Sequence, residues 1–323
     1  MIPHIKVEVY MKDYKLKIGS KTVYLVDPNP KETVNSFLES LPSKEAPWVQ
    51  KDEHDKIRYF AICPYCNNPI TLVGYETRNS LSPKPYMKHY PHSVRKLAEY
   101  NEGNYNKCIL ASKNLSSFGN TDKKRVQTDD ISIGILNTVK TQLDRIFYIL
   151  TQDTGIHFSK KLKKEMFKDY MAADGYNYSS SYVNNLPWTF ANVIRAQNLI
   201  YQFIDERSPL GQALAKCNDI SLQKVENLSP FLSPFIKQIT PKNTFLLLKF
   251  EFRRLKIDKE SGEQSICFRA YKKGKEIDKI DLLYEETIQI NLTRFPQLIQ
   301  KERDEKKEDD WLKLKQVIGE LIN

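Results

Sequence analysis

Of the five cysteines and five histidines in this 323-residue chain, three cysteines and two histidines fall between Arg58 and Cys108. Cys63-Pro-Tyr-Cys66 offers two thiols from one tight turn. A short apolar run ending at Ile62 enters it, and Ile70-Thr-Leu-Val-Gly74 leaves it. That is the sequence form of a zinc knuckle at a hairpin tip, where two thiolates supply half of a tetrahedral site. The other half has to come from His89, His92 and Cys108, and the spacing favours His89 with Cys108. The predicted metal ligands are therefore Cys63, Cys66, His89 and Cys108, and zinc is the expected cofactor. Pairing His89 with His92 instead gives a spacing shorter than the His-x3–5-His of fingers. His92 is thus left open as ligand, catalytic group or neither. A thioredoxin-type redox pair opens a helix, whereas Asn67-Asn-Pro69 blocks one here. Cys217 and Cys267 have no Cys or His neighbours in sequence and read as core.

The array Cys63-Pro-Tyr-Cys66-Asn-Asn-Pro-Ile, then Tyr86-Met-Lys-His89-Tyr-Pro, then Ala98-Glu-Tyr-Asn and Cys108 resembles zinc-knuckle segments of uncharacterised bacterial proteins. The likeness covers about a sixth of the chain and implies bound zinc, with no activity or partner attached. Four protein ligands close a site and favour a structural metal over a catalytic one. The expectation is accordingly a binding protein with no catalytic residue. The enzymatic alternative is an HNH-like metal-dependent nuclease, with His89, His92 and Asn101 or Asn104 around a cation. Against it, Lys88 stands where such nucleases place an acid, and a zinc-ligating His89 cannot also be the base. No nucleotide-binding glycine loop, serine elbow or His-Glu-x-x-His pair occurs.

Charge is concentrated in the same region. The formal net charge of the chain is +10, and Lys84 to Arg125 alone carries nine Lys or Arg against three acids. Tyr86, Tyr90, Tyr100 and Tyr105 lie within that window. Cations that neutralise phosphate beside rings that stack on bases are the signature of nucleic-acid contact. Lys88, Arg95, Lys96, Lys107, Lys123, Lys124 and Arg125 are the predicted contacts, to DNA or RNA. The alternative partner is a protein, with the chain as a subunit of a larger bacterial assembly and its zinc purely structural. No apolar run approaches the roughly 18 residues of a membrane span. The absence of a signal-like N-terminus and the odd cysteine count point to the cytoplasm.

The elements that must position these residues read as α+β: a β-rich knuckle module, a central helical domain and a C-terminal β-hairpin/α domain. The expected divisions are 1–55 (strands and a helix), 56–118 (knuckle), 128–242 (helical) and 243–323 (α+β). Ile5, Val7 and Val9 alternate as a strand, and Thr22 to Val26 forms another. Asp27-Pro-Asn-Pro30 opens a helix with Val34, Phe37, Leu38 and Leu41 on one face. Leu136, Val139, Leu143, Ile146 and Leu150 mark a second helix, and Leu162, Met166, Phe167 and Tyr170 a third. Tyr176 to Tyr182 reads as a polar aromatic loop. A helix from Trp188 is predicted to carry Val193, Ile194, Ile200, Phe203 and Ile204. Ser208-Pro209 starts another. Past residue 242 the period becomes two, with strands over Phe245–Arg253, Ser265–Tyr271 and Lys279–Leu283, before a long charged helix from Phe295.

Overall fold

The computed structural model describes residues 11–20, 22–51, 55–76, 84–111, 119, 123–125, 130–225, 234–243, 246–258, 262–273 and 280–301. The expected strand through Ile5, Val7 and Val9 and most of the charged C-terminal helix lie outside them.

The first half is organised by a four-stranded antiparallel sheet. Short strands β1 (Asp13–Tyr14) and β2 (Tyr24–Leu25) pair with each other. Helix α1 (Pro30–Ser40) follows, its N-terminus capped by the Asn29 side chain, which accepts from the Lys31 N–H. Phe37 and Thr33 bury its inner face. Strands β3 (Val49–Lys51), β4 (Ile57–Ile62), β5 (Pro69–Val73) and β6 (Tyr86–His89) then pair in the order β3-β4-β5-β6. The segment around β1 seals this sheet. The Met87 N–H of β6 donates to the Met11 carbonyl at 2.8 Å, while Lys15 and Ile62 of β4 exchange N–H···O bonds at 2.9 and 2.8 Å. The segment thus joins both flanks and satisfies strand edges that would otherwise stand open. Helix α2 (Glu102–Lys107) runs into Cys108.

The central stretch begins with α3 (Asp130–Thr154), which buries Ile135, Val139, Leu143, Ile146, Phe147 and Leu150. After β7 (Ile156–His157), Ser159 caps α4 (Lys160–Ala172), whose buried residues are Leu162, Met166, Phe167 and Tyr170, the face predicted from their spacing. Helix α5 (Leu186–Val193) is shorter than expected. The predicted continuation through Ile200 and Ile204 is instead β8 (Gln197–Asn198) and β9 (Phe203–Asp205). Both strands find distant partners, which a local period cannot reveal: β8 pairs with β12 (Leu248–Ile257) and β9 with β11 (Ile236–Pro241). Ser208 caps α6 (Pro209–Ala215) as the sequence implies. Strand β10 (Ile220–Lys224) completes a sheet of order β10-β11-β9-β7.

Strands β13 (Gln264–Lys273) and β14 (Ile280–Gln289) complete a second sheet of order β14-β13-β12-β8. Leu248, Phe250 and Phe252 point inward by strand alternation. A bulge after Arg253, with Arg254 at φ 54°, turns Leu255 back into the core. Helix α7 (Arg294–Gln300) is tied to α3 by Arg294 pairing with Asp153. The architecture is α+β, and its segments share one hydrophobic cluster. Tyr14, Phe37, Ile70, Ile146, Trp188, Phe250, Phe268 and Phe295 all belong to it.

Two sequence expectations are revised in the interior. The Tyr176–Tyr182 loop is largely buried, with Tyr178 and Tyr182 at 1% exposure. Arg125, expected to face phosphate, is withdrawn into the protein. Its Nε donates to the Tyr65 hydroxyl at 3.1 Å, and its Nη2 donates to the carbonyls of Ser179, at 3.1 Å, and Ser181. Its guanidinium also lies over the Tyr65 ring, 4.6 Å from the centroid. The cation thereby fastens the hairpin tip to the loop before α5. Changing Arg125 to Ala strips partners from two buried carbonyls and is expected to lower stability by about 3 kcal/mol, read from urea unfolding. Nucleic-acid binding, where the protein remains folded, should be unchanged.

Candidate metal centre

Three elements place the four candidate ligands. Strand β4 delivers Cys63 to the hairpin tip, where the Cys63 N–H donates to the Asn68 carbonyl at 2.9 Å and the Asn67 N–H returns to the Cys63 carbonyl at 3.1 Å. Asn67 takes the left-handed conformation, φ 59°, that lets so short a turn close and that Asn tolerates better than most residues. Register then fixes the histidine, since His89 at the end of β6 pairs with Ile70 of β5. Cys108 sits at the C-terminus of α2, its N–H donating to the Tyr105 carbonyl at 3.0 Å. The entry of α2 is held by Asn68, whose amide accepts from the Asn101 N–H at 2.6 Å and donates to the Asn101 carbonyl at 3.0 Å. The same amide nitrogen lies 3.4 Å from the Cys66 sulfur. Sequence reasoning used Asn68 only as part of a helix-blocking run, and nothing local marks it as the bridge between hairpin and helix.

The four side chains named from the sequence converge. The Sγ atoms of Cys63 and Cys108 are 3.8 Å apart, and Nε2 of His89 is 3.4 Å from Cys66 Sγ and 3.5 Å from Cys108 Sγ. All four ligand atoms lie within 4.8 Å of one another. The sulfurs of Cys63 and Cys108 are too far apart for a disulfide bond of about 2.05 Å, and none of the three cysteines forms one. The cysteines are at most 1% exposed, while His89 is half-buried, with its ring edge-on to Tyr105.

Burial pushes the thiols of Cys63 and Cys108 well above the ordinary range. Cys66 is also penalised by burial, but hydrogen bonds from Cys108, Cys63 and His89 outweigh this and bring it well below that range. Three mutually close thiols without a cation therefore share little negative charge, and a metal ion reverses that by stabilising every thiolate it binds. The cluster can hold a metal ion. Lys15 lies against it, with burial lowering the pKa of the ammonium and the charges of Cys63, Cys66 and Asp13 raising it.

His92 is not brought into this cluster. It is exposed, and among the described residues its side chain meets only the edge of the Tyr90 ring. Asn101 is spent on capping α2, its Oδ1 accepting from the Asn104 N–H at 2.8 Å. Of the predicted phosphate contacts, Lys88, Arg95, Lys96, Lys107, Lys123 and Lys124 are exposed, and Lys124 pairs with Asp174 at 3.6 Å. Arg125 is the exception already described. The chain matches no protein-family model, no curated protein and no solved structure. Among the described residues, no helix is long and apolar enough to cross a membrane.

Metal uptake should depend steeply on pH. Cys63 and Cys108, held well above the ordinary thiol range by burial, carry their protons at neutral pH in the metal-free site, so ligation of both as thiolates displaces at least two protons per metal. Below the thiol pKa values, affinity should consequently rise about a hundredfold per pH unit as pH increases. Calorimetry in buffers of differing ionisation enthalpy measures the released protons, and a count near zero would contradict this assignment.

Proposed function

We propose that the chain is a zinc protein whose knuckle contacts nucleic acid. Zinc is favoured by the donor set, since soft thiolates with one imidazole suit it while hard cations prefer oxygen. The spacing of the donors carries the reading. With bonds of about 2.3 Å to sulfur and about 2.0 Å to nitrogen, a tetrahedral zinc ion sets S···S edges of about 3.8 Å and S···N edges of about 3.5 Å. The separations of 3.8, 3.4 and 3.5 Å agree with those edges. Four protein donors complete the coordination sphere and leave no position for substrate or water, so the metal's role is to hold β4, β5, β6 and α2 together.

Contact with nucleic acid is supported by what surrounds this staple. Lys88, Arg95, Lys96 and Lys107 keep their side chains in solvent on the metal-holding module, and Lys123 and Lys124 add to them. Tyr90 and Tyr100 are half-buried near these cations, the Tyr100 ring 6.2 Å from that of Tyr105. Exposed cations interleaved with partly exposed rings suit a phosphate backbone with stacked bases.

Anisotropy of labelled DNA and RNA, single-stranded and duplex, between about 50 and about 200 mM salt is the test. Affinity should fall steeply over that range. Joint reversal of Arg95, Lys96, Lys123 and Lys124 to Glu should abolish binding while zinc content is retained. Salt-insensitive or absent binding by the wild type contradicts nucleic-acid contact. Recovery of a fixed protein partner, with no nucleic acid after nuclease treatment, would assign the chain to an assembly in which zinc only holds the fold.

A further inference from the structure

Lys15 is a buried cation that, among the described residues, no carboxylate pairs with directly. It is 9% exposed, and among the described residues no acidic side chain stands within ion-pairing distance of its Nζ. Asp13, two residues away, is buried as well, with one carboxylate oxygen lacking a hydrogen-bond partner, and it acts on Lys15 only from beyond ion-pairing distance. Among the described residues, the one hydrogen-bond acceptor of Nζ is Oδ1 of Asn67, at 3.2 Å. Asn67 directly follows Cys66 in sequence, and the backbone of Lys15 is bonded in both directions to Ile62, which directly precedes Cys63. The lysine therefore spans the metal-holding turn from its first residue to its last. An ammonium removed from water is tolerated only where negative charge or several acceptors replace the lost hydration, and one amide oxygen is too little.

We infer that Lys15 is the counter-charge of the metal centre and that it links metal binding to the docking of the N-terminal segment. The inference rests on the zinc reading above. A divalent ion bound by three thiolates and a neutral imidazole has a net charge of −1, and one ammonium alongside neutralises it. The pairing acts in both directions, because whatever the docked lysine adds to metal affinity the metal adds to docking. Since the Met11–Leu16 segment also bonds Met87 of β6, the metal would strengthen the bridge this segment makes between β4 and β6.

Zinc competition against a chromophoric chelator, with wild type, Lys15→Met and Lys15→Arg, tests this. Lys15→Met should bind zinc about tenfold more weakly and Lys15→Arg within about threefold of wild type. Hydrogen exchange of the amides between Lys12 and Leu16 should slow on adding zinc to wild type, and less so in Lys15→Met. The metal-free melting temperature of Lys15→Met should equal or exceed that of wild type, because the isosteric methionine has no charge to bury. Wild-type zinc affinity in Lys15→Met overturns the inference. So does an equal fall in the melting temperatures of the metal-free and zinc-loaded forms, which is the mark of a packing role alone. If the wild type takes up no zinc, the metal assignment itself fails, an outcome distinct from a Lys15→Met protein that binds zinc normally.

Discussion

Three thiols and an imidazole packed within one coordination sphere, in a setting almost sealed from water, impose the constraint on which this protein's first half depends. Buried thiolates repel one another, and buried thiols at such spacing leave their polarity largely unused. A cation at their centre resolves both difficulties. Each surrounding element makes sense as a carrier of one or two candidate ligands: β4 and its turn bring Cys63 and Cys66, β6 ends at His89, and α2 leads into Cys108. None of these pieces is large, and α2 buries no residue of its own. Its position is set by Asn68 at one end and by the ligand at the other.

The module that carries the Cys63, Cys66, His89 and Cys108 cluster is joined to the remainder by polar contacts as well as by the common core. Tyr65, inside the Cys-x-x-Cys turn, meets Arg125 through its hydroxyl and Tyr182 through its ring, with centroids 5.9 Å apart. Tyr182 in turn accepts from the Gln264 side chain at 2.7 Å, and Gln264 Oε1 accepts from Asn185 at 3.0 Å. Asp13, its carboxyl pushed up to about 6 by burial, lies near the same tyrosine with one oxygen unpartnered. Such a network is costly if broken and specifies one arrangement when complete. The seam explains why the loop before α5, polar in composition, lies inside.

The sequence made the cluster of Cys63, Cys66, His89 and Cys108 legible because its chemistry is local in part. A Cys-Pro-x-Cys turn between apolar runs is a pattern, and few other soft donors were available to finish it. Helix starts were equally readable at Asn29-Pro30 and Ser208-Pro209, where a cap depends on neighbours alone. What could not be read depends on distant partners. Ile200 and Ile204 have helical spacing, yet the sheets take the segment because β11 and β12 offer edges there. Arg125 looked like one more cation of a basic run, and its burial follows from carbonyls more than fifty residues later. Lys15 gave no signal at all, since its role appears only when the β1 segment lies against β4.

X-ray absorption at the zinc edge of the metal-loaded protein tests the central claim most directly. The arrangement of Cys63, Cys66, His89 and Cys108 predicts one ion with three sulfur neighbours at about 2.3 Å and one nitrogen at about 2.0 Å. Replacing His89 with Ala should remove the nitrogen shell and leave the sulfurs. A shell of oxygen and nitrogen alone, or one with fewer than three sulfurs in the wild type, would contradict the account.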